Sequence, residues 1–327
     1  MRLILDTNVW SYIADGHRGP ELGTMAVDSE IRMVIPPSVL VEVLQLGRED
    51  VRDRIVRTLT GAHAERLRTE ADLEVEELIA SIRRYRPKWL LQTPDTATER
   101  RLREFWTNRL WKGARRDSKI LHRYVLAGAP AREFVRATQD LQRGAYLEAG
   151  ATSVDLLHMQ GELQSAKAAG FPSSWPDRTV EVWRAQVFSL YWHQLIRVPS
   201  RAVLSGEDTT YADWFRCWVD PSILRKNEQS FVDLVAKELE IKDVRRNWLR
   251  WAISAVQPLA KVTPGNPVDE QHAAYLLDAD LFLTADKRYF AALAEVRRQA
   301  PFSFAEPRLL SGNQEVDLLE RIATSIS

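Results

Sequence analysis

The rhythm of apolar positions changes twice along this chain. Near the start, Leu3, Ile4 and Leu5 form a short β-prone run that ends at Asp6, and a connecting segment follows around Asn8 to Ala14. A second run, Ile31 to Ile35, stops at Pro36 and Pro37, which supply no backbone donor to a sheet. Ser38 is then the expected N-cap of a helix carried by Val39, Leu40, Val43, Leu44 and Leu46, with Gly47 as its stop. The opening stretch reads as strand, helix, strand, helix.

The last 70 or so residues return to that style. Pro264, Gly265 and Pro267 mark a loop, and a helix is expected to begin near Asp269, where a carboxylate suits the positive end of the helix dipole. Leu281 to Thr284 read as a short buried strand, followed by helix from Tyr289 to Arg298. A further strand is expected at Phe302 to Phe304, and a terminal helix from about Asn313.

Between these ends, apolar residues recur three and four apart in stretches such as EADLEVEELIASIRRYR and APAREFVRATQDLQRGAYLEA, with no convincing strand alternation. Pro87, Gly113, Gly128 to Pro130, Gly170 to Pro176, Pro199, Gly206 and Pro221 divide this block into six to eight expected helices. Ten of the eleven tryptophans, Trp89 through Trp251, fall inside it, which predicts a large-residue core or a recognition surface. Two strands at either end are too few to make a stable sheet alone, so the ends should pair. The predicted architecture is one α/β domain, residues 1–54 and 256–327, interrupted by an all-α insertion over residues 55–255.

Composition narrows the classes of function. The 45 basic and 45 acidic residues balance, so attraction to nucleic acid would have to come from local asymmetry. A lone cysteine, Cys217, excludes an internal disulfide and a thiolate zinc site and fits a reducing, cytoplasmic setting. The interrupted apolar run at the start does not suit a signal peptide, and no stretch is apolar enough to predict membrane insertion. The six histidines show no zinc spacing, and no Walker-type glycine loop is present.

Four carboxylates stand where strands end or adjoining helices begin: Asp6, Glu42, Asp269 and Asp286. Carboxyl ends of parallel strands are where open α/β sheets gather ligands, so residues at opposite ends of the chain can converge there. Hard divalent cations prefer oxygen ligands and keep several waters, so converging carboxylates can hold one and leave positions for a phosphate. Each acid also has an ordinary reading: Asp6 as a helix cap, Glu42 as a solvated helical residue, Asp269 as a dipole partner and Asp286 as a turn residue. Asp278 and Asp280 precede the strand and should face its opposite end; they read as loop or capping residues.

The runs LILDTNVW and DEQHAAYLLDADLFLTADKRYF, with the helical Glu42 between them, resemble the PIN domain, a family of metal-dependent nucleases that includes many bacterial toxin ribonucleases. The similarity covers about residues 1 to 50 and 260 to 310. It implies a three-layer α/β/α domain with a parallel sheet and an acidic pocket for Mg²⁺ or Mn²⁺ at the strand ends. By motif position, Asp6, Glu42, Asp269 and Asp286 match the four acidic, metal-ligating catalytic positions, with Thr7, Asn8 and Thr284 in supporting ones. The resemblance further implies an endoribonuclease acting on RNA to leave a 5′-phosphate and a 3′-hydroxyl, with an antitoxin or other protein inhibitor and a homodimer as partners.

Residues 100 to 123 carry nine lysines or arginines against Glu104 and Asp117, a local charge of +7, interleaved with Phe105, Trp106 and Trp111. As a nucleic-acid surface, Arg100, Arg101, Arg103, Arg109, Lys112, Arg115, Arg116 and Lys119 would contact phosphates while the aromatics stack on unpaired bases. As an ordinary amphipathic helix, the same segment buries its aromatics and solvates its arginines. Two other functions remain open from sequence: a structure-specific DNA nuclease using the same pocket, and a non-catalytic interaction protein working through its helical block.

Overall fold

A computed structural model describes residues 1–162, 175, 179–193, 211–310, 312 and 315–326. Among these the strands are β1 (Arg2–Leu5), β2 (Arg32–Ile35), β3 (Glu65–Arg66), β4 (Gln160–Glu162), β5 (Thr179–Glu181), β6 (Leu281–Thr284) and β7 (Glu306–Leu309). The two ends of the chain share one sheet of order β3-β2-β1-β6-β7, parallel at every pairing. The molecule is thus an α/β protein with a five-stranded parallel sheet.

Strand β1 is central, and its register explains why its sequence is apolar throughout. Leu3, Ile4 and Leu5 pair with Met33 and Val34 on one side and with Leu281, Phe282 and Leu283 on the other. All three are buried, as expected where helices cover both faces of a parallel sheet. Leu3 and Leu5 join a core with Val9, Trp10, Ile13, Val39, Val43 and Leu283. Each large side chain fully removed from water there contributes about 1.5–3 kcal/mol. On the other face, Phe282 meets Tyr289 edge-on at 5.6 Å between ring centroids.

Several sequence expectations shift by a few residues for identifiable reasons. The segment expected to connect at Asn8 to Ala14 is the helix Thr7–Asp15, because the Asp6 carboxylate accepts the Thr7 amide and caps it. The helix expected to start at Ser38 starts at Pro37. Proline suits a first helical position, and the Ser38 hydroxyl is buried with no hydrogen-bond partner among the described residues instead of capping. The strand expected at Phe302 to Phe304 lies at Glu306–Leu309, where β7 pairs with β6. As the sheet's edge strand, β7 tolerates Pro307, whose missing donor costs no ladder bond there. The final helix spans Leu318–Ile326, while Asn313 lies outside the described residues.

The middle of the chain divides between two compact units. Residues 55–69, 104–153 and 253–255 cluster with both ends of the chain in the first unit; residues 70–103 and 154–252 form the second. The stretch expected to be wholly helical also contains strands: β3 extends the sheet, and β4 and β5 form an antiparallel ribbon. Tripeptide strands are too short to leave a period-2 signature, so the helical rhythm around them dominates the reading. The expected breaks at Gly170 to Pro176, Pro199 and Gly206 lie outside the described residues, apart from Trp175.

The second unit has its own core. The helix Glu70–Tyr85 buries Leu73, Val75, Leu78, Ile79 and Ile82, and Trp89, Phe188, Trp192 and Phe231 form a ring cluster. Trp183, Trp214, Trp248 and Trp251 are buried as well, so tryptophan supplies packing here. Glu74 is fully buried and accepts hydrogen bonds from Arg250 at 3.1 Å and Tyr211 at 3.0 Å. Partners of that kind are what let a charge sit in a core. Among the described residues no helix is long and apolar enough to cross a membrane.

Candidate metal centre

The carboxyl end of β1 is fixed by a network of short polar contacts. Strand β1 hands over to Asp6, whose amide donates to the Leu283 carbonyl at 2.9 Å, tying it to the neighbouring β6. The Asp6 side chain is buried and accepts from three donors: the Thr7 amide at 2.7 Å, Asn8 Nδ2 at 2.8 Å and Thr284 Oγ1 at 2.5 Å. Thr284, the last residue of β6, also accepts the Asp286 amide, and Asn8 Oδ1 accepts the Ala285 amide at 3.0 Å. Thr7 Oγ1 donates to the Glu42 carboxylate. Thr7, Asn8 and Thr284 therefore hold Asp6 and Glu42 in one orientation.

A third group faces them that the sequence reading passed over. His272 is 2% exposed, and among the described residues neither ring nitrogen has a hydrogen-bond partner. Its Nδ1 lies 3.7 Å from Asp6 Oδ1 and its Nε2 lies 3.8 Å from Glu42 Oε2. One atom from each of Asp6, Glu42 and His272 lies within 4.8 Å of the other two, so these three could hold a metal ion. The signal was present in the spacing: His272 follows Asp269 by three residues within the helix Asn266–Ala273, which places both on one face.

Asp269 and Asp286 stand outside that compact trio. Asp269 is half-buried and accepts from Gln257 Nε2 at 2.8 Å, while its carbonyl accepts the Tyr289 hydroxyl. Burial, and after it the charges of Asp6, Glu42 and Asp286, push the Asp269 carboxyl well above the usual carboxylate range. Asp286 is exposed, and its Oδ1 caps the helix Lys287–Gln299 by accepting the Arg288 and Tyr289 amides. Glu42 is also raised, first by burial and then by Asp6 and Asp286, with His272 and Thr7 opposing. Its side chain nonetheless keeps 32% of its surface exposed, which leaves the group open to a ligand. Asp280, at the opposite end of the sheet, accepts the Arg2 amide at 2.6 Å.

No family model matches the chain, and no curated protein or solved structure matches it.

A cavity of about 410 Å³ opens beside Asp269 and Asp286. Lys261, Lys287 and Arg288, all exposed, line it together with Gln257, Thr263 and Asn266. Exposed cations thus border the acidic centre on that side.

The basic run at residues 100 to 123 looks different in three dimensions. Residues 100–103 belong to the second unit and 104–123 to the first. Trp111 is fully buried, and Phe105 and Trp106 are partly buried against the sheet unit's core, which is the packing that the amphipathic-helix reading gives these aromatics. Their helical spacing had already allowed this. Arg103 is engaged by Asp72 at 2.9 Å and Glu99 at 2.9 Å. Arg100, Arg101, Arg109, Lys112, Arg115, Arg116 and Lys119 are exposed; Arg115, Arg116 and Lys119 line a smaller cavity of about 180 Å³ with Glu49, Asp53 and Asp117. Cys217 is buried, and burial pushes its thiol up to about 11, which makes it a poor nucleophile.

Proposed function

We propose that this protein is a PIN-like, metal-dependent endoribonuclease, its α/β domain interrupted by a helical insertion. The observation that carries the reading is the convergence of Asp6, Glu42 and His272 at the carboxyl end of the central strand, buttressed by Thr7, Asn8 and Thr284. Two carboxylates suit a divalent cation, Mg²⁺ or Mn²⁺, and beside them stands a buried imidazole whose nitrogens have no hydrogen-bond partner among the described residues. When bound, the cation would supply Lewis acidity, acidifying a water molecule and offsetting charge that develops on a phosphate.

This chain's own residues set up the rest. Asp6 and Glu42 would hold the cation directly, and Asp269 and Asp286 would add negative potential along the helix beside them. Thr7 and Thr284 commit their hydroxyl donors to Glu42 and Asp6, which fixes the orientation of both carboxylates. Lys261, Lys287 and Arg288 would draw the RNA backbone into the adjoining cavity.

Purified protein should cut single-stranded RNA or transfer RNA with Mg²⁺ or Mn²⁺, stop with EDTA, and lose at least about a hundredfold in rate on Asp6→Asn. Cleavage of branched DNA alone would reassign the substrate. Undiminished RNA cleavage by Asp6→Asn would sink the reading.

A further inference from the structure

His272 departs from an all-carboxylate centre, and its burial makes the departure costly unless something occupies its nitrogens. A buried polar atom left unsatisfied destabilises the fold, and His272 carries two such atoms among the described residues. The contacts to Asp6 Oδ1 at 3.7 Å and Glu42 Oε2 at 3.8 Å are too long for hydrogen bonds. They run from different ring nitrogens, so the set that one cation could share is one atom from each side chain, and those three atoms lie within 4.8 Å of one another, against about 3–4 Å for two ligands held about 2.1 Å from a single cation.

We propose that His272 is a nitrogen ligand of the centre and makes it select a first-row transition dication over Mg²⁺. The inference rests on the metal-site reading above. One ring nitrogen would join Asp6 and Glu42 as a ligand of the cation, and the other would keep its proton. Mg²⁺ demands oxygen and dehydrates reluctantly, whereas imidazole is a favourable ligand for transition dications. Mn²⁺ lies lowest in the first-row affinity order, so a preference for Mn²⁺ over Mg²⁺ is the minimal form of the selection.

The test pairs titration calorimetry of Mn²⁺ and Mg²⁺ with pulsed electron paramagnetic resonance of the Mn²⁺-loaded full chain. Wild-type protein should show nitrogen modulation that changes when its histidines are labelled with ¹⁵N, and should bind Mn²⁺ at least about tenfold more tightly than Mg²⁺. His272→Gln should lose the modulation and about tenfold of that preference. The ¹⁵N arm needs no variant, so a poorly folding His272→Gln does not spoil the test. Bound Mn²⁺ without nitrogen modulation would overturn the proposal, leaving His272 as a charge partner and the nuclease reading intact. No binding of either ion would overturn both. Nitrogen ligation without RNA cleavage would keep the proposal and remove the nuclease reading.

Discussion

Thr284 Oγ1 donates to Asp6 Oδ2 at 2.5 Å, joining residues from opposite ends of the chain at the ends of neighbouring parallel strands. The same hydroxyl accepts the Asp286 amide at 2.9 Å, and Thr284 is completely buried. One side chain thus orients the first carboxylate of the centre and fixes the loop that leads to the last.

Thr284→Val keeps the shape and removes both contacts. Asp6 loses a donor and the Asp286 amide loses its acceptor, so stability should fall by about 1–3 kcal/mol. Denaturant unfolding measures that loss, and calorimetry should show weaker divalent-cation binding as Asp6 loses its fixed orientation. A neutral result in both would mean that the hydroxyl contributes nothing to the centre.

Asp269→Asn should act in opposite directions on stability and on ligand response. The Asp269 carboxyl is raised by burial and then by Asp6, Glu42 and Asp286, so its ionised form is penalised in the fold at neutral pH. A neutral isostere can still accept from Gln257 and should stabilise the metal-free protein by about 1 kcal/mol. The rise in melting temperature caused by Mn²⁺ should shrink in the same variant. Destabilisation of the metal-free form would contradict the charge-repulsion account.

In the second unit, burial raises Glu77 to about 7 despite Arg246, whose amide it accepts at 3.0 Å. A raised carboxyl makes the folded state hold more protons than the unfolded state between about pH 4.5 and 7. Its contribution to stability is therefore fully present below the unfolded value and is lost as pH rises through 7. Glu77→Gln should flatten that decline by up to about 3 kcal/mol. Parallel pH series of thermal unfolding for the two proteins would check this, and identical slopes would refute it.

The basic run should separate by residue. Arg115 and Arg116 are exposed beside a cavity, so replacing both with alanine should weaken RNA binding across sequences and reduce the salt slope by about 2, with stability unchanged. Arg103 instead pairs with Asp72, whose side chain is 4% exposed. Arg103→Ala would remove a guanidinium partner from that carboxylate and cost about 1–3 kcal/mol. Filter binding at several salt concentrations and chemical denaturation distinguish the two classes.

Much of this was legible along the chain. The apolar runs at Leu3–Leu5, Ile31–Ile35 and Leu281–Thr284 locate three strands closely, since a strand buried on both faces must be apolar throughout. The positions of Asp6 and Glu42 just beyond such runs pointed to one end of the sheet. Less legible were β7, where an edge strand with a proline offers weak pattern, and β3, whose two residues offer none.

The amino-acid sequence by itself determined the α/β rhythm at both ends, the helical middle and the set of carboxylates, because these follow from local periodicity and residue chemistry. Tertiary structure alone decided which groups meet. It set His272 between Asp6 and Glu42, turned Trp111 inward and committed Arg103 to Asp72. It also placed residues 104–153 with the sheet. Helical spacing shows which residues share a face, but the partner that face buries depends on long-range packing.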